Sequence, residues 1–414
     1  MKKKQRIVIL GAGFAGINTY LSLIKRVHEK DVEIIFINKT NYFLFTPMLH
    51  EVATGGLGPR HVVESVRNII YKTPADLIVA EVGKVDLEKK IVFTDKGRVE
   101  FDYLVIGLGA TTNFCDVAGA QENSFVLKDL ADAIKLRNHF ISLFEEASTV
   151  PFEEERKKML SFAIIGGGPT GVELAAEMAD FFFDTFRKYY KGHICAGDVS
   201  LYLINSGKEL LSMFSSGIRQ ESLKVLREKG IKVLLDKMVT NVSKEKITFT
   251  DGSSVDVFNT VWVAGVKPIP IEILPEVEKD KAGRIITDEF LRVKNFKHVF
   301  ALGDISAFIT KDGKSLPMLA QVAARQGKAT GKNISASIYE KKLSKFRYIS
   351  KGSLVSLGSW KAVGEIAGIT WSGVFAWWLW RTVYLANFAS WTNRIKIIID
   401  WTVNMFSPRD ITKA

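Results

Sequence analysis

Cysteine is almost missing from this chain, at two residues in 414. Two thiols cannot form a disulfide scaffold. With no CxxC pair and no Cys/His cluster, no metal site of the zinc or iron–sulfur kind is expected. Long uncharged stretches are missing as well. The longest in the C-terminal region, Ile366 to Trp380, has fifteen residues, short of the ~20 a spanning helix needs, which argues against an integral channel or pump. Acids are outnumbered, 45 Asp plus Glu against 57 Lys plus Arg, a formal charge of +12. The deficit is local. From Lys341 to Ala414 there are eleven Lys/Arg and three acids, so +8 of the +12 lies in the last 74 residues. Such a tail points to an anionic surface, nucleic acid or lipid. What remains is ordinary. With 47% hydrophobic and 25% charged residues, disordered, collagen-like and coiled-coil classes are excluded. The length allows two or three domains.

The first residues, lysines followed by an apolar run, could open a signal peptide. The competing reading is a buried parallel strand, Arg6 to Leu10, entering the turn Gly11-Ala12-Gly13-Phe14-Ala15-Gly16. A second apolar run, Val32 to Ile37, ends at Asn38, 22 residues past Gly16. That spacing is strand–turn–helix–strand, as in a dinucleotide fold, and favours the strand. Gly11 makes the tight turn, Gly13 admits a pyrophosphate, and Gly16 lets helix and strand pack closely. The helix N-terminus adds N–H groups and a positive dipole end. One GxGxxG is a weak signal, but this chain has two. The run Ser161 to Ile165 leads into Gly166-Gly167-Gly168-Pro169-Thr170-Gly171, and a further apolar run, Val199 to Ile204, ends at Asn205. Two fingerprints about 155 residues apart imply two dinucleotide sites. The simplest chemistry that needs both is hydride transfer between a mobile nicotinamide and a resident flavin. Phe101 to Ala110, Thr260 to Pro268 and His298 to Asp304 are strands ending in small residues or an acid, suited to close approach of such ligands.

These segments, with Phe45-Thr46-Pro47-Met48-Leu49, Gly109-Ala110-Thr111-Thr112-Asn113-Phe114 and Leu316 to Ala323, resemble the two-dinucleotide-binding-domain flavoproteins. More narrowly they resemble the type II NADH dehydrogenases, nearly end to end. The resemblance implies an α/β fold of two Rossmann-like domains with a C-terminal amphipathic helical membrane-attachment region. It implies an FAD domain split into 1–114 and 292–338, an NAD(P)H domain at 115–291, and an anchoring region at 339–414. The implied activity passes hydride from NADH to non-covalent FAD, then two electrons to a membrane quinone, without proton pumping.

By the same resemblance, Gly11, Gly13, Phe14, Ala15, Gly16, Asn38, Thr46, Gly109 and Asp304 hold FAD, with Gln321 at its quinone edge. Gly168, Pro169, Thr170, Glu173, Asn205, Ala264 and Gly265 take the nicotinamide nucleotide. Asn38 and Asn205 depart from the usual acid, keeping one acceptor oxygen and losing the charge. At Asn205 nothing repels a 2′-phosphate, and Lys208 stands nearby, so NADH is expected and NADPH stays open. Glu173 is a helix-dipole partner or, as the resemblance implies, a proton relay whose burial would raise its pKa. Arg325 replaces a second Gln of the family pattern. It is a changed quinone contact, a cation for a reduced quinone, or a surface arginine with Gln326 turned into its place.

In the tail, Lys341, Lys342, Lys345, Arg347 and Lys351 form a basic cluster, and six of eight tryptophans lie between Trp371 and Trp401. From Trp391, apolar Ile395, Ile398, Ile399, Met405 and Phe406 recur at helical spacing, with Asn393, Lys396, Asp400 and Asn404 opposite. Core packing or a homodimer interface competes with an interfacial anchor on anionic lipid spanning 341–406. Nucleic acid is not expected, since the aromatics lie in apolar runs. Two functional rivals remain. One is a sulfide:quinone or disulfide oxidoreductase, which needs a redox cysteine pair that Cys115 and Cys195 do not suggest. The other is an NAD(P)H-binding flavoprotein with little turnover. The expected location is the cytoplasmic face of the cell membrane.

Overall fold

The computed structural model describes residues 4–350, 352–366, 368–388 and 390–413. Lys351 of the basic cluster, like Lys2 and Lys3, lies outside the described residues. The chain folds into two compact units. The first is Met1–Leu44, Val63–Thr111 and Val266–Ile349; the second is Phe45–Val62, Thr112–Gly265 and Ser350–Ala414.

The first unit is built on a five-stranded parallel sheet. Its order is Val299–Ala301, Tyr103–Ile106, Gln5–Leu10, Val32–Asn38, Ala75–Val79. Gln5–Leu10 pairs in parallel on both sides, Ile7 opposite Ile34 and Tyr103. The opening apolar run is therefore a central strand. Near-continuous apolar sequence is what such a strand needs, because helices and loops cover both its faces. Val8, Leu10, Leu104, Ile106, Val299 and Ala301 pack into one core.

The second unit repeats the plan. Its parallel sheet runs Ser124–Val126, Asn259–Trp262, Ser161–Ile165, Ser200–Ile204, Lys232–Leu234. Beside it a continuous helical stretch, Pro169–Ala179, runs on into a π-helical turn over Asp180–Phe186. That turn carries Phe181, Phe182 and Phe186 into an aromatic cluster with Phe140, Phe144 and Phe162.

Two boundaries differ from the expected ones. The chain returns to the first unit at Val266 rather than Arg292. The reason is strand pairing: Glu272–Leu274 pairs with Val82–Asp86, and Ile285–Thr287 with Ser306–Phe308. The tail from 350 packs within the second unit. It forms an antiparallel sheet of Gly352–Ser356, Ala362–Ile366 and Ile369–Ser372, then helices Gly373–Ala386 and Trp391–Phe406. Trp371 lies in the third strand, and Gly373 at φ +76° begins the helix. No helix among the described residues is long and apolar enough to cross a membrane.

Candidate functional site

Both glycine turns follow one steric rule. Gly11 sits at φ +91°, and a Cβ there would lie 2.4 Å from the Gly107 carbonyl oxygen; one on Gly16 would lie 2.0 Å from that of Gly11. In the second unit Gly166 sits at φ +123°, where a Cβ would lie 2.8 Å from the Ala264 backbone, and a Cβ on Gly171 would come within 1.8 Å of the Gly166 oxygen. Only glycine fits these four positions. The middle glycines are different. Gly13 and Gly168 are the N-caps of helices Phe14–Leu23 and Pro169–Ala179, no side chain caps either helix, and a Cβ on either would meet nothing within 4 Å. Open space beside uncapped helix N–H groups fits a diphosphate. Each unit thus has the cradle that FAD or a nicotinamide dinucleotide requires.

The two asparagines explain themselves. Asn38 Oδ1 accepts the Ala12 N–H at 2.9 Å, while Nδ2 donates to the Thr40 carbonyl at 2.8 Å. Asn205 Oδ1 accepts the Gly167 N–H at 3.1 Å, while Nδ2 donates to the carbonyls of Gly207 and Glu209 at 3.1 and 2.9 Å. Each ties the glycine turn to the loop after the second strand. A carboxylate could accept from the turn, but it would face the loop carbonyls as a second acceptor. Lys208 on that loop is exposed.

Gly11, Gly13, Phe14, Ala15, Gly16, Asn38, Gly109, Asp304, Gln321 and Arg325 all fall in the first unit. Gly109 sits at φ +79° with open space at its Cβ position. Asp304 lies in the short turn Gly303–Ile305, whose first N–H donates to Gln326 Oε1 at 2.7 Å. Gln326 is buried. Arg325 stacks over the Tyr348 ring, 5.0 Å from its centre, and donates to the Ile349 carbonyl. Gln321 is half-buried in the first turn of helix Ala320–Ile338. Thr46, expected with this set, is exposed and groups with the second unit. Gly168, Pro169, Thr170, Glu173, Asn205, Ala264 and Gly265 all fall in the second unit.

Glu173 lies in a buried polar cluster. Its Oε1 accepts the Ser356 N–H at 3.2 Å and its Oε2 is 3.9 Å from His50 Nδ1. Burial, reinforced by Glu177 and Glu51, pushes its pKa up to about 8. Burial, then the nearness of Glu177, pushes Glu51 up to about 7, although Trp401 Nε1 donates to its Oε2 at 2.7 Å. Burial holds His50 at about 3 and so neutral. Glu177 pairs with Arg409 at 2.6 Å. Asp180 is bound by Lys229 and the Ser359 N–H. A group that holds a proton near neutrality, buried on the first turns of the second cradle's helix, can take up or release that proton during turnover. Sequence reasoning missed His50, Glu51, Glu177 and Arg409. Two ionisable residues inside the apolar run Met48 to Ala53 were the available signal; Arg409 offered none.

The fold and these cradles define a two-dinucleotide-domain oxidoreductase. Residues 5–327 match the pyridine nucleotide-disulphide oxidoreductase model, and residues 350–410 match the NDH2 C-terminal domain. The chain belongs to the pyridine nucleotide-disulphide oxidoreductase family and, within it, to the type II NADH:quinone oxidoreductases. It is 31% identical to the mitochondrial internal alternative NAD(P)H-ubiquinone oxidoreductase A1 of Arabidopsis thaliana, covering 99% of this chain and 86% of that one. It is 28% identical to the type II NADH:quinone oxidoreductase of Mycobacterium tuberculosis, over 98% and 89%. The fold is that of the Plasmodium falciparum NDH2 solved with NADH, at a TM-score of 0.90 and 24% identity over 99% and 100% of the chains.

Proposed function

We propose that this protein oxidises NADH and reduces a membrane quinone by two electrons, without pumping protons. FAD, when bound, supplies the carrier between the two half-reactions. The chain's residues do the rest. The turn at Gly11–Gly16, braced by Asn38, receives the flavin dinucleotide's diphosphate. The turn at Gly166–Gly171, braced by Asn205, receives that of NADH. Glu173, protonated at neutral pH, is the proton store for quinone reduction; quinol formation takes up one proton beyond the hydride. Gln321 and Arg325 are assigned to the quinone side, Arg325 through its hold on the Tyr348–Ile349 segment. The observation that carries this reading is the presence of two open glycine cradles in a chain whose C-terminal domain buries Glu173. Cys115 and Cys195 are exposed free thiols, which gives the disulfide chemistry of the rival class no support.

The tail supports peripheral membrane attachment through an inverted amphipathic helix. In Trp391–Phe406 the inward side is mixed: Asn393, Ile397 and Trp401 are buried, Asn404 donates to the Gly56 carbonyl at 2.8 Å, and Asp400 accepts the Gly58 N–H at 3.0 Å and pairs with His61. The apolar side faces out, with Trp391 73% and Phe406 85% exposed and Ile395, Ile399 and Val403 each above 50%. An outward apolar stripe of this kind suits the headgroup–acyl boundary. We assign it to an anionic leaflet, at the cytoplasmic face where NADH is available. The same face is the candidate surface for a homodimer.

Flavin absorbance in stopped flow tests the catalytic reading. NADH should bleach the bound flavin at once, and colour should return only when quinone is added. A colourless protein that cannot be reconstituted with FAD, or bleaching that quinone does not reverse, overturns it.

A further inference from the structure

An open concave surface in the first unit, outside the nucleotide cradle, is lined by Phe290, Arg292, Lys342, Leu343, Lys345 and Arg347, with a volume of about 570 Å³. Four cations on one concavity repel one another, so the backbone beneath them has to be held. Residues 341–349 form no helix or strand, yet they are pinned. Fully buried Asn333 accepts the Ser344 N–H at 2.9 Å and donates to its carbonyl at 3.0 Å. The Phe346 N–H donates to the Glu289 carbonyl at 2.7 Å, and the Phe346 ring packs edge-on against Phe308. With Phe346 turned inward, its neighbours Lys345 and Arg347 are both left exposed.

Two of the four charges are matched. Arg292 grips Asp288 through Nε and Nη2 at 2.9 and 2.8 Å, and Lys345 pairs with Glu289 at 2.8 Å. Among the described residues neither Lys342 nor Arg347 has an acidic partner within ion-pair distance. The volume is that of a site for an organic ligand, far beyond a lone ion. Phe290 and Leu343 give it an apolar wall, and Ile349, two residues past Arg347, is 74% exposed. Guanidinium and ammonium groups around such a wall suit a phosphate ester joined to an apolar stem.

We propose that this concavity binds the headgroup phosphate of an anionic phospholipid, with Lys342 and Arg347 on the phosphate and Phe290 and Leu343 against the glycerol end. The inference rests on the membrane reading above; from Ile349 the chain passes through the three-stranded sheet of 352–372 before it reaches the apolar helices. It gives that anionic-leaflet assignment a specific headgroup site, which an apolar face alone does not supply.

The test is vesicle co-sedimentation of the FAD-loaded full chain on phosphatidylcholine and on phosphatidylglycerol-enriched vesicles. The chains compared are the wild type, Lys342→Gln/Arg347→Gln, and a control pair, Lys244→Gln/Lys281→Gln, that removes two exposed charges elsewhere. The wild type should bind the anionic vesicles more tightly. The pocket pair should lose on the order of 30-fold of that gain, at ~1 kcal/mol per cation, and still bind phosphatidylcholine. The control pair should keep the gain. An unchanged gain in the pocket pair, or equal loss in both pairs, overturns the site. If the wild type binds neither vesicle, the membrane reading itself fails and the lipid site with it. Tight binding of free glycerol 3-phosphate by the wild type and not by the pocket pair, with no gain on anionic vesicles, assigns the pocket to a soluble phosphate ester and overturns the lipid source.

Discussion

Asn38 and Asn205 show how one atom can decide a substitution. An acid is usual at both strand ends, and the sequence alone showed only that a charge had been lost. The structure shows what the amide nitrogen does: it donates to the carbonyls of the following loop. Asn205→Asp should therefore replace two donated bonds with two facing acceptors and loosen the Gly166–Gly171 turn. We expect a loss of ~1–3 kcal/mol in stability and a higher KM for NADH, read by thermal unfolding and steady-state kinetics. Unchanged stability with tighter NADH binding would refute the bracing role. Glu173 makes a second prediction at this scale. Its carboxyl titrates at an ordinary 4.5 when unfolded and at about 8 when folded. Between those values the native state keeps a proton that the unfolded chain has released, so stability falls as pH rises through that window. Glu51 adds to the fall up to about 7. Glu173→Gln keeps an acceptor for the Ser356 N–H and removes the titration. Its thermal stability should decline less over the same range, while quinone-dependent recolouring slows by ~10²-fold and NADH bleaching does not. Equal slowing of both steps would deny Glu173 a role specific to quinone.

At the scale of elements, periodicity located the C-terminal amphipathic helix but could not say which side faces protein. Of the expected partition, Trp391, Ile395, Ile398 and Ile399 are exposed, while of the polar face Asn393 is buried, Asp400 and Asn404 are half-buried and Lys396 is exposed. Burial then falls on Asn393, Ile397 and Trp401. Periodicity measures the separation of two faces, and only tertiary partners decide which is inward. Here Gly58, Glu51 and Gly56 supply hydrogen-bond partners for Asp400, Trp401 and Asn404, so a side that mixes these with Ile397 docks. A triple change on the outer stripe, Ile395→Ser/Ile399→Ser/Val403→Ser, should leave thermal stability within ~1 kcal/mol, as exposed sites do. Vesicle binding should drop sharply, with turnover of a water-soluble quinone analogue retained. Loss of folding would mean that the stripe is core. The glycine turns were legible for the opposite reason. Their geometry is local and steric, so residue identity at Gly11, Gly16, Gly166 and Gly171 reports it directly.

Across the whole molecule, the part least legible from sequence is the one that joins distant segments. Residues 45–62, 169–180 and 350–410 share a buried ionic cluster, and beyond His50 and Glu51 inside an apolar run their local composition does not announce it. A charge buried with its partner leaves the same letter in the sequence as a charge in water. The consequence bears on the tail. Were it only an anchor, as the expected region 339–414 implied, removing it would yield a soluble enzyme. Instead Arg409 neutralises Glu177, Trp401 Nε1 satisfies Glu51, and the N–H groups of Ser356 and Ser359 hold Glu173 and Asp180. Deleting one partner of a buried pair costs ~3–5 kcal/mol, and truncation after Ile349 removes all four partners at once. Total stabilities of native proteins are only ~5–15 kcal/mol. We therefore expect the truncated chain to lose cooperative unfolding of the nicotinamide-binding unit and NADH-driven bleaching, even in detergent. Arg409→Met/Glu177→Gln in the full chain, which removes both members of one pair together, should be far milder. A truncated protein that unfolds cooperatively and bleaches with NADH at the full-length rate would show that the cluster does not hold this unit together.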